Sequence, residues 1–188
     1  MAITFNEYVE LSSRTAAKHD DELVNYAMGL AGEVGELIDL VKKFLFHGHH
    51  IETVKIKKEG GDVLWYSGQL VRLFGVRFKH VDIFAAFNKD LPKLSEIKSD
   101  KVLMVACLNL SKASGKISET VDKMVFDGIT YGSNEIRQEL LTVFYDLFFI
   151  ITTAGLTIEE VAEGNIEKLK KRYPNGFDVE KSINRVED

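Results

Sequence analysis

Apolar residues recur along this chain at three- and four-residue spacing through long stretches free of proline, the pattern of helices that bury one face. Helices are predicted over 5–18, 22–46, 53–74, 78–90, 98–126, 134–154 and 157–172. Thr4 with Glu7, and Thr157 with Glu160, have the spacing of capping boxes, in which each side chain accepts from the other residue's backbone N–H and opens a helix. The breaks carry Gly48 beside its histidines, Gly75, Pro92, Gly128 with Gly132, and Gly155. The chain has 2 prolines, Pro92 and Pro174, and both fall where a helix is expected to end. No run alternating with period two is long enough to compete as a sheet. The expected fold class is all-α.

A repeat lies beneath the helical pattern. A shift of 80 positions, without a gap, superimposes the segment near 30–81 on that near 110–161. Gly35 then meets Gly115, Val41 meets Val121 and Lys43 meets Lys123; Phe46-x-Gly48 meets Phe126-x-Gly128. Ile56-x-x-Glu59 meets Ile136-x-x-Glu139, Gly75 meets Gly155 and Val81 meets Val161. Chance likeness between amphipathic helices would not keep both glycine breaks in register. The expectation is a helical bundle of two tandem units, 1–95 and 96–188, sharing a core and packed as a pseudo-dimer.

Composition narrows the function classes. A net charge of -5 over 188 residues disfavours nucleic acid and anionic membranes, which both need a basic face. It does not disfavour a phosphate-bearing small ligand, because a bound divalent cation reverses the local field. The single cysteine, Cys107, lies in an apolar run and reads as a buried hydrophobe. No basic-then-apolar leader is seen at the N-terminus, and the greasiest stretch, Val143 to Leu156, is interrupted by Asp146 and shorter than the ~20 residues a bilayer needs. A cytoplasmic setting is expected.

The chemistry is concentrated in the first unit. Glu33 with Glu36, and Glu59 with Asp62, are i,i+3 carboxylate pairs, each projecting from one helix face. On facing helices they would converge into an all-oxygen site suited to magnesium, with manganese as the alternative. Gly32, Gly35, Gly60 and Gly61 flank these acids, and a glycine inside a helix costs about 1 kcal/mol relative to alanine. Close helix approach, or room for a ligand, would account for them. Under the offset Glu33 falls on Ala113, Glu36 on Lys116 and Asp62 on Thr142, so only Glu59 keeps a counterpart, in Glu139. Solvated acids have no reason to be lost together; a disused site does. Tyr66, four residues after Asp62, is placed to reach a phosphate oxygen, while Trp65 reads as core. Lys42 and Lys43 read as solvated cations near a helix C-terminus, where the dipole favours them, and Lys43 is a candidate to neutralise a triphosphate.

Gly29-Leu30-Ala31-Gly32-Glu33-Val34-Gly35-Glu36, then Val41-Lys42-Lys43-Phe44-Leu45-Phe46-His47-Gly48-His49, then Lys57-Lys58-Glu59-Gly60-Gly61-Asp62-Val63-Leu64-Trp65-Tyr66, together resemble the MazG-type nucleotide pyrophosphohydrolases of the all-α NTP pyrophosphohydrolase superfamily. The tail from Asn165 through Arg172-Tyr173-Pro174 to Phe177, with Ser182 to Arg185 beyond it, resembles the C-terminal signature of small MazG-like proteins. The resemblance implies that Glu33, Glu36, Glu59 and Asp62 are metal ligands. It implies phosphate or base contacts for Lys168, Arg172, Tyr173 and Asn165, and makes His47 and His49 substrate-side residues. The departure from the family is that acids and tail lie in different units here, one metal site surviving in the first.

The expected activity is magnesium-dependent hydrolysis of a nucleoside triphosphate to monophosphate and pyrophosphate, at the α- or β-phosphorus, with Glu36 or Glu59 as general base. The alternatives are a pyrophosphatase narrow for dUTP or dCTP, or a nucleotide-binding helical module without turnover. A fusion that supplies one pairing within the chain leaves a second, so a homodimer is expected.

Overall fold

The protein is described by a computed structural model covering residues 3–17, 20–78, 82–94 and 99–184. Val81 of the repeat and Arg185 of the tail lie outside the described residues. Within them all regular structure is helical: α1 Phe5–Ser13, α2 Glu22–His47, α3 Thr53–Leu73, α4 Ile83–Leu94, α5 Asp100–Val125, α6 Ser133–Thr153, α7 Ile158–Arg172 and α8 Val179–Ile183.

Both predicted capping boxes form. The Glu7 N–H donates to Thr4 Oγ1 at 3.2 Å while Glu7 Oε2 accepts from the Thr4 N–H at 2.8 Å, and Glu160 and Thr157 repeat this at 3.1 and 2.8 Å. Three boundaries differ from expectation. α1 stops at Ser13 rather than near 18, because the Ser12, Ser13 and Thr15 hydroxyls bond back to carbonyls of the preceding turn and compete with the helix ladder. α4 begins at Ile83 rather than 78, where Asp82 Oδ1 accepts from the Ala85 N–H at 3.0 Å, and it continues through Pro92 to Leu94. Pro92 lies in the last turn of α4 and, having no N–H, cannot bond back to the turn before it. α8, with 5 residues, is too short for a periodic signal and is opened by Asp178, which accepts from the Lys181 N–H at 3.0 Å.

α2 packs on α3 and on α5, α5 packs on α6, and α6 packs back on α3, so the four long helices close into a ring. The shift of 80 residues exchanges α2 with α5 and α3 with α6, which is how a fused pair of two-helix units would lie. α2 contributes Tyr26, Leu30, Val34, Leu37 and Val41 as one buried stripe, and α5 answers with Leu103, Leu110, Ile117 and Val121. α3 and α6 are buried on more than one side in their later turns, where Ser67 to Val71 and Asp146 to Ile151 are buried without a break. The paired glycine breaks hold identical backbone roles: Gly48 and Gly128 have φ of 71° and 69°, Gly75 and Gly155 have 60° and 79°. All four lie in the left-handed region that side chains disfavour, and that explains their retention in register.

α1 packs on α3, as α4 packs on α6. Phe5, Phe84, Phe144 and Phe148 meet largely edge to face, Phe5 and Phe144 with centroids 5.0 Å apart, and pin α1 and α4 to the second unit's core. α7 crosses over to lie along α3, in the first unit, and touches α6 less. That crossing builds the site.

Candidate metal and nucleotide site

Glu33 projects from α2, and Glu59 and Asp62 project from α3. Each offers a carboxylate oxygen, and the three oxygens lie within 4.8 Å of one another. Glu59 is buried, Glu33 and Asp62 half-buried. The fourth expected ligand, Glu36, stands outside that group: it is exposed, on the wall of an open cleft that Glu59 also lines. The structure thus brings three of the four acids together and sets the fourth beside them.

Such crowding is costly without a cation. Burial, and then the charges of Asp62, Glu36 and Glu59, push the Glu33 carboxyl up to about 7, against the pull of Lys168. Three oxygens this close, all from carboxylates and partly desolvated, fit a hard divalent cation by number and by chemistry. The protein's own cations offset part of the charge. Lys58 Nζ sits 3.1 Å from Glu59 Oε1. Burial disfavours the Lys58 charge, but the Glu59 hydrogen bond and the fields of Glu59, Asp62 and Glu36 outweigh it and leave the ammonium more basic than usual. Lys168, from α7, forms an ion pair with Asp62 Oδ1.

Asn165 binds the same acid, its Nδ2 donating to Asp62 Oδ1 at 3.1 Å. Its Oδ1 accepts from the Tyr8 hydroxyl at 2.9 Å, and that bond fixes which way the amide points. Burial, and then the Asp62 charge, hold the Tyr8 phenol well above its ordinary range, so it remains a donor. Tyr8 on α1 was invisible as a functional residue, because its partner lies 157 residues away in the chain and its spacing with Phe5 and Ser12 reads only as a buried face. The tail of the second unit therefore reaches the acids of the first.

The glycines divide into two roles. A Cβ on Gly61 would lie 3.0 Å from the Asn165 Cβ, and one on Gly60 would lie 3.4 Å from Ile151, so these two let α7 and α6 approach α3. A Cβ on Gly32 or Gly35 would meet nothing within 4 Å; they floor the cleft of about 410 Å³ that Glu36, Asp39, Leu40 and Glu59 complete.

The other expected contacts are scattered. Tyr66 packs over Gly29, where an added Cβ would overlap its ring at 2.1 Å, and lies edge to face with Trp65 at 4.8 Å. Trp65 is core, as expected, and donates from Nε1 to the Ser12 carbonyl at 3.2 Å. Lys43 pairs with Asp39 at 2.6 Å near the end of α2. His47 and His49 are exposed around the Gly48 cap. Arg172 ends α7, and Tyr173 beyond it is buried, its ring 5.3 Å from that of Phe177.

In the second unit the equivalent place is filled from within. Lys116, standing where Glu36 stands, pairs with Glu139 at 2.9 Å; Ala113 is buried, and the Thr142 hydroxyl bonds to its own helix at the Gln138 carbonyl. Among the described residues no second group of acids that could hold a metal is found there. Cys107 is buried, and burial, then Asp146, raise its thiol to about 11, which agrees with an inert core residue.

A family model for the MazG nucleotide pyrophosphohydrolase domain matches the chain twice, over residues 21–100 and 110–177. The chain belongs to the MazG family. The two matches follow the two units of the repeat, so this is a tandem MazG form, and nucleotide pyrophosphohydrolase chemistry is the general activity the family brings. No curated protein and no solved structure matches the chain. α1, which carries Tyr8, lies outside both matched segments. No single helix among the described residues is long and apolar enough to cross a membrane.

Proposed function

We propose that this chain hydrolyses nucleoside triphosphates to monophosphate and pyrophosphate at one site per chain, built by α2 and α3 of the first unit and α7 of the second. The observation that carries this is the convergence of Glu33, Glu59 and Asp62, with Asn165 and Lys168 joined to Asp62 from across the repeat. Glu33, Glu59 and Asp62, with Glu36 beside them, would hold magnesium, or manganese in its place, which when bound neutralises phosphate charge and acidifies a water.

The chain's own groups supply the rest. Lys168 and Lys58 keep the acids in place before substrate arrives and present positive charge toward phosphate oxygens. Asn165, held by Tyr8, orients the Asp62 carboxylate. Glu36 is exposed on the cleft, whereas Glu59 is buried and paired with Lys58, so Glu36 is the better placed of the two candidate bases. Water's oxygen bonds to the α- or β-phosphorus, the bridging bond between them breaks, and the electron pair leaves on the bridging oxygen. The proton lost by water passes to the carboxylate. Lys43, His47, His49, Arg172 and Tyr173 are left as contacts of the nucleotide's outer parts, and Tyr66 as support for α2 against α3.

The deciding measurement is magnesium-dependent pyrophosphate release across the common ribo- and deoxyribonucleoside triphosphates. Release from at least one of them, abolished by chelation, is expected; a panel with no release at all would overturn the proposal. The same panel separates a broad activity from one narrow for dUTP or dCTP.

A further inference from the structure

α1 has 9 residues, too few to be stable alone, and the Ser12, Ser13 and Thr15 hydroxyls compete with the helix at its far end. Yet it carries Tyr8, whose hydroxyl donates to Asn165 Oδ1 at 2.9 Å and so turns the Asn165 Nδ2 toward Asp62. α4 reaches both helices that make this bond. Asp82, just before α4, is shared between two helix starts: Oδ1 accepts from the Ala85 N–H at 3.0 Å and Oδ2 from the Phe5 N–H at 2.7 Å. Both N–H groups belong to first turns, where no carbonyl of the same helix reaches them and the dipole favours an anion. Phe84 follows, buried, its ring 5.6 Å from that of Phe5 and 6.3 Å from that of Tyr8. One turn further along α4, Asn88 Nδ2 donates at 2.5 Å to Glu159 Oε1, in the first turn of α7.

We propose that α4 is a clamp on the Tyr8–Asn165 hydrogen bond, and that Asp82 and Asn88 are positioning residues that act on Asp62 through it. The clamp rests on the pyrophosphohydrolase site proposed above and adds what sets its geometry. Without Asp82 the start of α1 loses its tie to α4, and Tyr8, one turn along, swings away from Asn165. Without Asn88 the start of α7 moves instead, with the same effect on the bond. An Asn165 amide that has lost the Tyr8 hydroxyl no longer has its oxygen committed. Turned over, it sets Oδ1 against the Asp62 carboxylate, two acceptors with no proton between them.

The test is nuclear magnetic resonance of the full chain, without metal or nucleotide, reading solvent exchange of the Asn165 side-chain amide. Its resonance is identified by its loss in Asn165→Asp. Exchange is followed in the wild type, Asp82→Ala, Asn88→Ala, Tyr8→Phe and the two double variants that add Tyr8→Phe. It should quicken about tenfold in each single variant, the loss of one hydrogen bond's protection. Each double variant should match Tyr8→Phe within about twofold, because the clamp acts through that hydroxyl. Effects that multiply in the double variants are those of general destabilisation and would overturn the clamp, as would an Asn165 amide that stays slow. Asp82→Ala also uncaps α4; if it fails to fold, Asn88→Ala, which caps nothing, decides alone. Turnover at saturating magnesium should fall about tenfold in the same variants. An amide that loosens without that fall would show that the clamp positions nothing the reaction uses. The exchange needs no triphosphate, so the two proposals fail separately. A wild type inactive on every triphosphate that shows the expected exchange keeps the clamp on the amide and loses the activity. An active one whose amide ignores both substitutions loses the clamp and keeps the activity.

Discussion

Asp62 is the residue on which most of the site converges, since it shares the acid cluster and also receives Asn165 and Lys168. Asp62→Asn should cut turnover at saturating magnesium by at least about 10²-fold, through lost ligand charge and a released α7, while circular dichroism stays helical. Near-normal turnover would place the chemistry elsewhere. A different carboxylate limits stability. Asp146 is buried in α6, and burial raises it from 3.8 to about 6 in spite of a hydrogen bond with Asn109. The fold thus prefers the protonated acid. Its favourable contribution is complete below about pH 4 and is lost as the pH rises through about 6. Asp146→Asn keeps a hydrogen-bonding partner for Asn109 and removes the charge, so it should stabilise the protein by about 1–2 kcal/mol at pH 8 and by almost nothing at pH 4. Urea denaturation at the two pH values measures this, and a gain that does not depend on pH would show that the charge is not the cause.

Among the elements, α3 and α7 make the contact that matters most, and Gly61 sets its distance. Gly61→Ala forces the new methyl against Asn165 and should cost about 1–3 kcal/mol in thermal or chemical unfolding, with weaker metal binding. Gly32→Ala meets open space, so it should gain about 0.5–1 kcal/mol from helix propensity while weakening nucleotide binding in the cleft. Equal effects of the two substitutions would mean that the glycines do not divide as described. The helices themselves were legible in the sequence because their period is local: α2, α3, α5, α6 and α7 begin and end within two residues of where the apolar stripes and caps put them. The acids were legible for the same reason, as i,i+3 pairs beside apolar stripes. The placement of α7 was not legible. Nothing near Asn165 or Lys168 announces a partner more than a hundred residues earlier, and the Tyr8 bond that orients Asn165 joins two segments whose patterns only say that they are buried. That Glu36 would stand beside the group of three rather than within it was not legible either, because a shared helix face does not decide which of two acids turns inward.

For the whole molecule, the two units are alike in backbone and unlike in charge. A non-hydrolysable nucleotide in magnesium should therefore saturate near one per chain; two equal sites would show that the Lys116–Glu139 pair opens to ligand. Met28 and Leu108, equivalent under the repeat, are both 70% exposed on α2 and α5, a doubled apolar feature suited to a closed two-fold contact between chains. Light scattering at micromolar concentration should give the mass of a homodimer, and a monomer would show that the fusion already satisfies the pairing. The crossing of α7 onto α3 has one more effect, which concerns time. Asp62 and Lys168 are 106 residues apart in the chain. At about 5–20 residues per second, a ribosome that has finished the acids needs roughly 5–20 s more to deliver the lysine. During that interval the nascent chain carries an acidic cradle whose partners from α7 have not yet been made, and Asp62 gains Asn165 and Lys168 only when the second copy has been translated and has folded back across the first.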